Sequence, residues 1–159
     1  NAGAKMSDGR IFLFLHADTC LPKNAIDFVI SACRSNHIIG GAFDLGIDSN
    51  RPGYRLIERM VSLRSRRTRI PYGDQAIFLK HRIFFTIGEF KEIPIMEDID
   101  LMHRVKQAGY KIQIISEPVK TSARRWESEG IAYCTLRNFI LSKMFYLGVS
   151  PKTLKKYYK

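Results

Sequence analysis

The sequence is short of acidic residues, of cysteine and of long apolar runs. Asp and Glu number 15 against 26 Lys and Arg, which gives a formal net charge of +11. The three cysteines, Cys20, Cys33 and Cys134, form neither a CxxC pair nor a Cys/His pattern, so the sequence indicates no zinc site and no disulfide framework. The longest apolar run, residues 11–15, has the length of a strand and falls far short of the ~18 residues of a membrane span.

What is present is an ordinary globular composition with a strong positive charge. Hydrophobic residues make up 45% and charged residues 26% of the 159 positions, which excludes collagen-like and disordered classes and predicts one domain over residues 1–159. The charge favours anionic partners, namely nucleotide diphosphates, phospholipid surfaces or nucleic acid, and does not choose among them. With no secretory signal in view, we expect a reducing, cytoplasmic setting.

Apolar periodicity predicts an α/β fold in which strands and helices alternate. Strands are expected at 11–15, 38–47, 75–79 and 110–116. Helices are expected at 1–9 (a helix end), 21–36, 54–67, 82–87 and 97–107, followed by a basic helical tail over 130–159.

The first candidate site follows the first apolar strand. His16 and Asp18 come at the strand's carboxyl end, where open α/β sheets place their ligands. A carboxylate there could hold Mg²⁺ or Mn²⁺ between the phosphates of a nucleotide. The alternative is that Asp18 caps the helix expected to begin near Leu21.

The second candidate is the acidic start of a predicted helix. Glu97, Asp98 and Asp100 fall in its first turn, where the helix dipole favours negative charge, so good helix-start chemistry is one explanation. The other is that one of these acids is a general base that takes a proton from an acceptor hydroxyl.

The third candidate is the segment containing Arg124, Arg125 and Trp126. Guanidinium groups bind phosphate and tryptophan packs on sugar rings, so these residues could form a lid over a donor. A solvated arginine pair beside a tryptophan that anchors the core is the alternative. The basic stretches 55–69 and 143–159 could contact anionic lipid, although a solvated basic face explains them more simply.

Four segments in fixed order resemble family 2 glycosyltransferases of the GT-A type, in particular a bacterial branch in which HADT replaces the usual DxD metal motif. The segments are Gly9 to Pro22 with His16-Ala17-Asp18-Thr19, then Gly73-Asp74-Gln75-Ala76-Ile77-Phe78, then Gly88-x-Phe90, and finally Met96 to Gly109 with Glu97-Asp98-Ile99-Asp100.

The resemblance implies a truncated GT-A fold, a three-layer α/β sandwich on a mixed, mostly parallel sheet. It implies an inverting hexosyltransferase that moves a sugar from a UDP- or GDP-type donor to an acceptor hydroxyl with Mg²⁺ or Mn²⁺. In this sequence Asp18, with His16 beside it, would hold the metal, and Asp98, supported by Glu97, would be the catalytic base. The donor-sugar and acceptor side would be lined by Gly73, Asp74 and Gln75.

Two nucleoside-binding segments of such enzymes, a Pro-x-x-Asn-Glu-like turn and an Asp-Gly-x-Ser-x-Asp-like segment, do not occur in the sequence. The resemblance therefore implies the C-terminal portion of a catalytic domain. We expect little activity from this portion alone, and self-association through an exposed sheet edge.

Two rival functions are a basic nucleic-acid-binding module and a membrane-docking domain without activity. Because Phe12, Phe14 and Phe78 lie inside apolar runs and acids cluster at strand ends, the enzyme is favoured and no nucleic-acid partner is expected. The acceptor stays open, and a lipid-linked acceptor would place the protein at the inner face of a membrane.

Overall fold

A computed structural model describes residues 1–158 as an α/β fold with helices around one five-stranded sheet. The strands are β1 (Ile11–Leu13), β2 (Thr19–Cys20), β3 (Ile38–Asp48), β4 (Phe78–Lys80) and β5 (Lys111–Ser122). The helices are α1 (Ala2–Lys5), α2 (Ala25–Cys33), α3 (Pro52–Thr68), α4 (His81–Thr86), α5 (Glu97–Gln107), α6 (Arg124–Glu129), α7 (Ile131–Tyr146) and α8 (Pro151–Lys155), with a 3₁₀ turn at Gly73–Gln75.

The sheet is mixed, and the prediction that it is mostly parallel is wrong. In the order β1-β4-β3-β5-β2, β3 and β5 are parallel, while the other three neighbouring pairs are antiparallel. The reason lies in the turn at Gly73–Gln75, which is held beside the middle of β3 because the buried Gln75 amide donates to the Phe43 carbonyl. The chain therefore enters β4 from the Phe43 side and runs against β3, with Phe78 opposite Gly41 and Leu79 opposite Gly40.

Helices cover both faces of the sheet, as a three-layer arrangement requires. On one face α5 contributes Ile99 and Met102 to a core that includes Phe12 of β1. On the other face Val29 of α2 packs with Phe43 of β3. The α/β class is thus as predicted, whereas the GT-A topology remains a proposal.

Glycine at the centre of β3 allows its two neighbours to approach. A Cβ on Gly41 would lie 1.9 Å from the Gln113 carbonyl oxygen and 2.7 Å from the Phe78 ring. No side chain fits at that distance, so Gly41 permits β3 to pair on both sides.

Two predicted boundaries shift because of hydrogen bonds to distant parts of the chain. The strand expected from residue 75 begins at Phe78, since Gln75 belongs to the 3₁₀ turn and its buried side chain accepts from Ser65 Oγ (2.7 Å) and donates to the Phe43 carbonyl (3.0 Å). The strand expected to stop at 116 continues to Ser122, and α6 follows it directly.

The basic tail folds as α7 and α8, whose Leu141 and Leu154 pack together beside Ile95. Lys159, its last residue, lies outside the described residues. No helix within 1–158 combines the length and the apolar character needed to cross a bilayer. At one edge of the sheet β1 pairs with β4 alone, and the self-association expected there stays a prediction.

Candidate functional site

A cleft of about 330 Å³ brings together segments that are far apart in the sequence. Its lining includes His16 and Asp18 after β1, Asp74 in the 3₁₀ turn, and Glu97 and Asp98 at the start of α5. Its size is at the lower end of the range for small-molecule sites. Five of the predicted site residues that carry titratable groups are therefore lined up along one cavity.

Asp18 is positioned by the short strand that follows it. The Ser122 amide donates to the Asp18 carbonyl oxygen (3.0 Å), and one residue further the Thr19 hydroxyl contacts the Thr121 hydroxyl (3.1 Å). The side chain of Asp18 stays exposed. It does not cap α2, which begins at Ala25 with Asn24 as its N-cap, so the capping alternative is wrong.

Asp98 is held from two sides by backbone amides. Its Oδ2 accepts from Gly73 N at 2.5 Å and its Oδ1 from Ile99 N at 2.8 Å. A Cβ on Gly73 would lie 2.6 Å from His16 Nε2 and 3.3 Å from Asp98 Oδ2. Gly73 thus separates the imidazole from the carboxylate, and the missing side chain lets the two groups flank one backbone position.

Asp74 is the acid whose environment is most unusual. The residue is partly exposed, but its Oδ1 is closed off from solvent and has no hydrogen-bond partner within residues 1–158. Burial raises the pKa of the Asp74 carboxyl; Arg64 and His16 oppose the shift and the nearby Asp98 carboxylate adds to it. An unpartnered buried oxygen costs free energy, so this carboxyl is available for a ligand's hydrogen bond.

The remaining acids of α5 divide between the cleft and the surface of the fold. Glu97 lines the cleft. Asp100 instead accepts from Lys91 Nζ and Arg104 Nε, both at 2.7 Å; burial opposes the effect, but these hydrogen bonds lower the pKa of Asp100. The explanation as helix-start and ion-pair chemistry therefore holds for Asp100, whereas Asp98 and Glu97 face the cavity.

Arg125 and Trp126 of α6 form one wall of the cleft. The Arg125 guanidinium lies 4.9 Å over the Tyr158 ring and donates to its hydroxyl. The Trp126 ring packs edge-on against Tyr54 of α3, with 6.2 Å between the ring centroids, and this contact anchors the tryptophan in the core as the alternative explanation predicts. Its buried Nε1 has no hydrogen-bond partner in the described chain. The wall thus offers a cation and an indole N–H donor.

Two predicted residues do not line this cleft. Gln75 is fully buried and its amide is occupied by the contacts given above. Arg124 is exposed and borders a neighbouring depression of about 230 Å³, which shares Asp18 and Ser122 with the cleft.

Four polar residues of the tail line the cleft and escaped prediction: Asn138 and Ser142 of α7, and Lys155 and Tyr158 at the end of the chain. The sequence carried a signal for the first two, because Cys134, Asn138 and Ser142 recur every four residues on a mostly apolar helix. The buried Asn138 Oδ1 has no partner in the part of the chain that the structure describes.

A divalent cation would find a partial ligand set here. Within residues 1–158 no three or more His, Cys, Asp and Glu side chains are grouped to hold a metal. Mg²⁺, however, takes only one or two protein carboxylates when phosphate oxygens and water supply the rest, and exposed Asp18 with His16 on the same cleft meets that lower requirement. The residues fit a cation that arrives with a phosphate ligand, with Asp18 as the main contributor.

Comparisons of the chain with known protein families, with curated proteins and with solved structures returned no match. Any statement on function therefore depends on the motif residues and on the geometry of this cleft.

Proposed function

We propose that the chain is the C-terminal portion of a GT-A-type glycosyltransferase that moves a sugar from a nucleoside-diphosphate sugar to an acceptor hydroxyl with inversion. The observation that carries the proposal is that Asp18 and Asp98, 80 positions apart, line one cleft together with His16 and Asp74. A transferase of this kind needs one carboxylate for a cation at the diphosphate and another for the proton of the acceptor.

Asp98 is the group best suited to accept the proton. In the proposed reaction the acceptor oxygen forms a bond to the anomeric carbon, the bond to the diphosphate oxygen breaks, and the hydroxyl proton passes to the Asp98 carboxylate. The amides of Gly73 and Ile99 fix the orientation of that carboxylate, which is the preorganisation that a general base requires. Glu97 lies beside it in the cleft.

Asp18 and His16 would hold Mg²⁺ or Mn²⁺ at the leaving-group end. When bound, the cation supplies positive charge that neutralises the diphosphate. Arg125 and Lys155 line the same cleft and provide charge of the same sign. This arrangement suits a UDP-type and a GDP-type donor equally well, because these cleft residues would contact the diphosphate.

Asp74 would bind the sugar rather than react with it. Its raised pKa favours the protonated carboxyl compared with an exposed aspartate, and a protonated carboxyl can donate to a sugar oxygen. Trp126 Nε1 and Asn138 Oδ1, buried and without partners in the described residues, extend the set of groups that hydroxyls can satisfy.

The test is isothermal calorimetry with UDP-sugars, GDP-sugars, UMP and inorganic pyrophosphate, each with and without Mn²⁺. Pyrophosphate isolates the diphosphate subsite, because it binds without the nucleoside. We expect diphosphate ligands to bind only with Mn²⁺ and UMP to bind weakly. Equal affinities with and without Mn²⁺, together with equal affinities for UMP and the diphosphate ligands, would contradict the proposal. Tight binding of RNA alone would favour the nucleic-acid alternative.

A further inference from the structure

The outward side of α3 carries apolar side chains that nothing in the described chain covers. Leu56, Met60 and Leu63 are 62%, 57% and 56% exposed and follow one another at spacings of four and three, which places them on one stripe of the helix. The opposite side of α3 buries Tyr54 and Ile57. The helix is therefore apolar on its inner face and again on its outer face.

The outward side of α7 has the same character. Tyr133, Leu136, Phe139 and Ile140 are between 46% and 61% exposed, and helical spacing puts them on one face. The buried face of α7 is a different one, with Leu141 packed into the core and Asn138 and Ser142 toward the cleft.

The two helices that carry the stripes are neighbours. The start of α7 packs on the first half of α3, where Ile131 joins Ile57. Further along, Arg64 and Thr68 of α3 border a groove of about 480 Å³ opposite Phe139 of α7. The helices thus run side by side in the same direction, and Phe139 and Lys143 place the α7 stripe on the rim of this groove.

The exposed charges beside the two stripes are all positive. Arg59 and Arg67 flank the α3 stripe and Lys143 lies within the α7 stripe, and all three are exposed. Other arginines of α3 point inward: Arg66 pairs with Asp44 (2.7 Å), and Arg64 donates to Gln75 (3.1 Å).

No carboxylate balances these charges on either helix. The one acid of α3, Glu58, turns inward to the Ile47 amide (2.6 Å) and pairs with Arg55 (3.0 Å). The sequence of α7 contains no acid at all.

We propose that the outward stripes of α3 and α7, with Arg59, Arg67 and Lys143, form one face that lies on a bilayer surface carrying anionic phospholipids. Apolar side chains interspersed with cations and free of carboxylates are what an interfacial helix pair requires. Charge complementarity decides against a second copy of the chain, since two such faces would repel each other. The inference stands apart from the transferase proposal; if both hold, the far side of α7 brings the cleft to a lipid-linked acceptor.

The test is vesicle flotation of the whole chain with phosphatidylcholine alone and with phosphatidylcholine containing phosphatidylglycerol. We expect binding to the anionic vesicles only, and a loss of binding as salt rises. The variant Leu56→Ser/Leu136→Ser should bind about a hundredfold more weakly, roughly tenfold for each leucine. The matched control Ile26→Ser/Ile30→Ser changes residues of α2 that are 57% and 45% exposed and should bind like the parent.

A second series changes charge alone and leaves the apolar stripes in place. Arg59→Gln, Arg67→Gln and Lys143→Gln should each weaken binding to anionic vesicles about fivefold, whereas Lys23→Gln and Arg34→Gln, exposed positions around α2, should not. Equal binding to both vesicle types, or equal losses in test and control variants, would overturn the proposal. So would a dimer in sedimentation velocity that Leu56→Ser/Leu136→Ser dissolves, since the face would then be an interface between copies.

Discussion

The two ends of the cleft are constructed in opposite ways. Asp98 sits at the start of a helix that buries four side chains, and two amides grip its carboxylate. Asp18 and His16 lie in a segment between two strands of three and two residues, with both side chains exposed. One end is thus fixed by the fold, and the other is free to adjust to a ligand.

This difference in rigidity determines which function each end of the cleft can support. Proton transfer depends on orientation within hydrogen-bond reach, which a rigid carboxylate provides. A cation that binds together with its phosphate ligand can be held by an exposed, mobile carboxylate, and water can complete its coordination. Substitutions at the two ends should therefore separate turnover from donor affinity.

The largest expected effect is at the rigid end. Asp98→Asn should lower turnover about a thousandfold while donor affinity stays near the parent's, because an amide preserves the shape of the group but cannot take the proton. Because we expect little activity from this portion, single-turnover kinetics with the protein in excess over the donor give the first number, and calorimetry on the same preparation gives the second. Equal losses of donor affinity in Asp98→Asn and Asp18→Ala would show that the two ends do not have separate roles in turnover and donor binding.

Asp100→Asn is the matched control, because it makes the same change two positions along α5. It should leave turnover intact and lower stability by about 1–3 kcal/mol through the lost hydrogen bonds from Lys91 and Arg104. The pKa of Asp100 is lowered from 3.8, so its stabilisation is present above that pH and is lost as pH falls below it. As the pH decreases, the free energy of unfolding should therefore fall less steeply in the variant than in the parent.

The next effect tests the space between the two ends. In Gly73→Ala the new Cβ would come within 2.6 Å of His16 Nε2, and we expect turnover to fall about a hundredfold as the imidazole and the carboxylate are pushed apart. His16 can swing into solvent, so the melting temperature should change little. If His16 is the group displaced, Gly73→Ala should cost much less in a His16→Ala background; full additivity would contradict this account.

At the adaptable end, Asp18→Ala should weaken Mn²⁺-dependent binding of the donor or of pyrophosphate at least tenfold, roughly the loss of one charge-assisted contact. Stability should stay within about 0.5 kcal/mol of the parent, because the side chain is exposed. Calorimetry with and without Mn²⁺ measures the first quantity and urea unfolding the second. A large loss of stability would mean that Asp18 serves the fold.

The sequence predicted the acids that meet in the cleft, and it did so for a physical reason. His16 and Asp18 follow an apolar run, and Asp98 opens an amphipathic helix, so each local pattern marks an element boundary. The resemblance implied that these two sites act together, and residues 80 positions apart do line one cleft.

What the sequence could not reveal depends on pairing between distant strands. The antiparallel entry of β4 follows from the contact of Gln75 with Phe43, and the hydrogen bond from the Ser122 amide to the Asp18 carbonyl follows from β2 joining β5. Gln75 illustrates the same point: the family resemblance implied a place on the donor and acceptor side, but the turn directs the Gln75 side chain to Ser65 and Phe43. Local patterns carry no information about those partners.

The smallest effect is at Asp74, between the two ends. Because burial raises the pKa of this carboxyl above 3.8, the folded state holds its proton more tightly than the unfolded state, and the contribution to stability is present at low pH and lost as pH rises through the folded-state pKa. Asp74→Asn removes that loss, so urea unfolding at a series of pH values should show the variant gaining on the parent from acid toward neutral pH. Parallel curves would mean that Asp74 titrates like an exposed acid. Turnover should change little, since the asparagine amide still offers a donor where a protonated carboxyl would, and a variant that loses turnover as severely as Asp98→Asn would instead assign the proton transfer to Asp74.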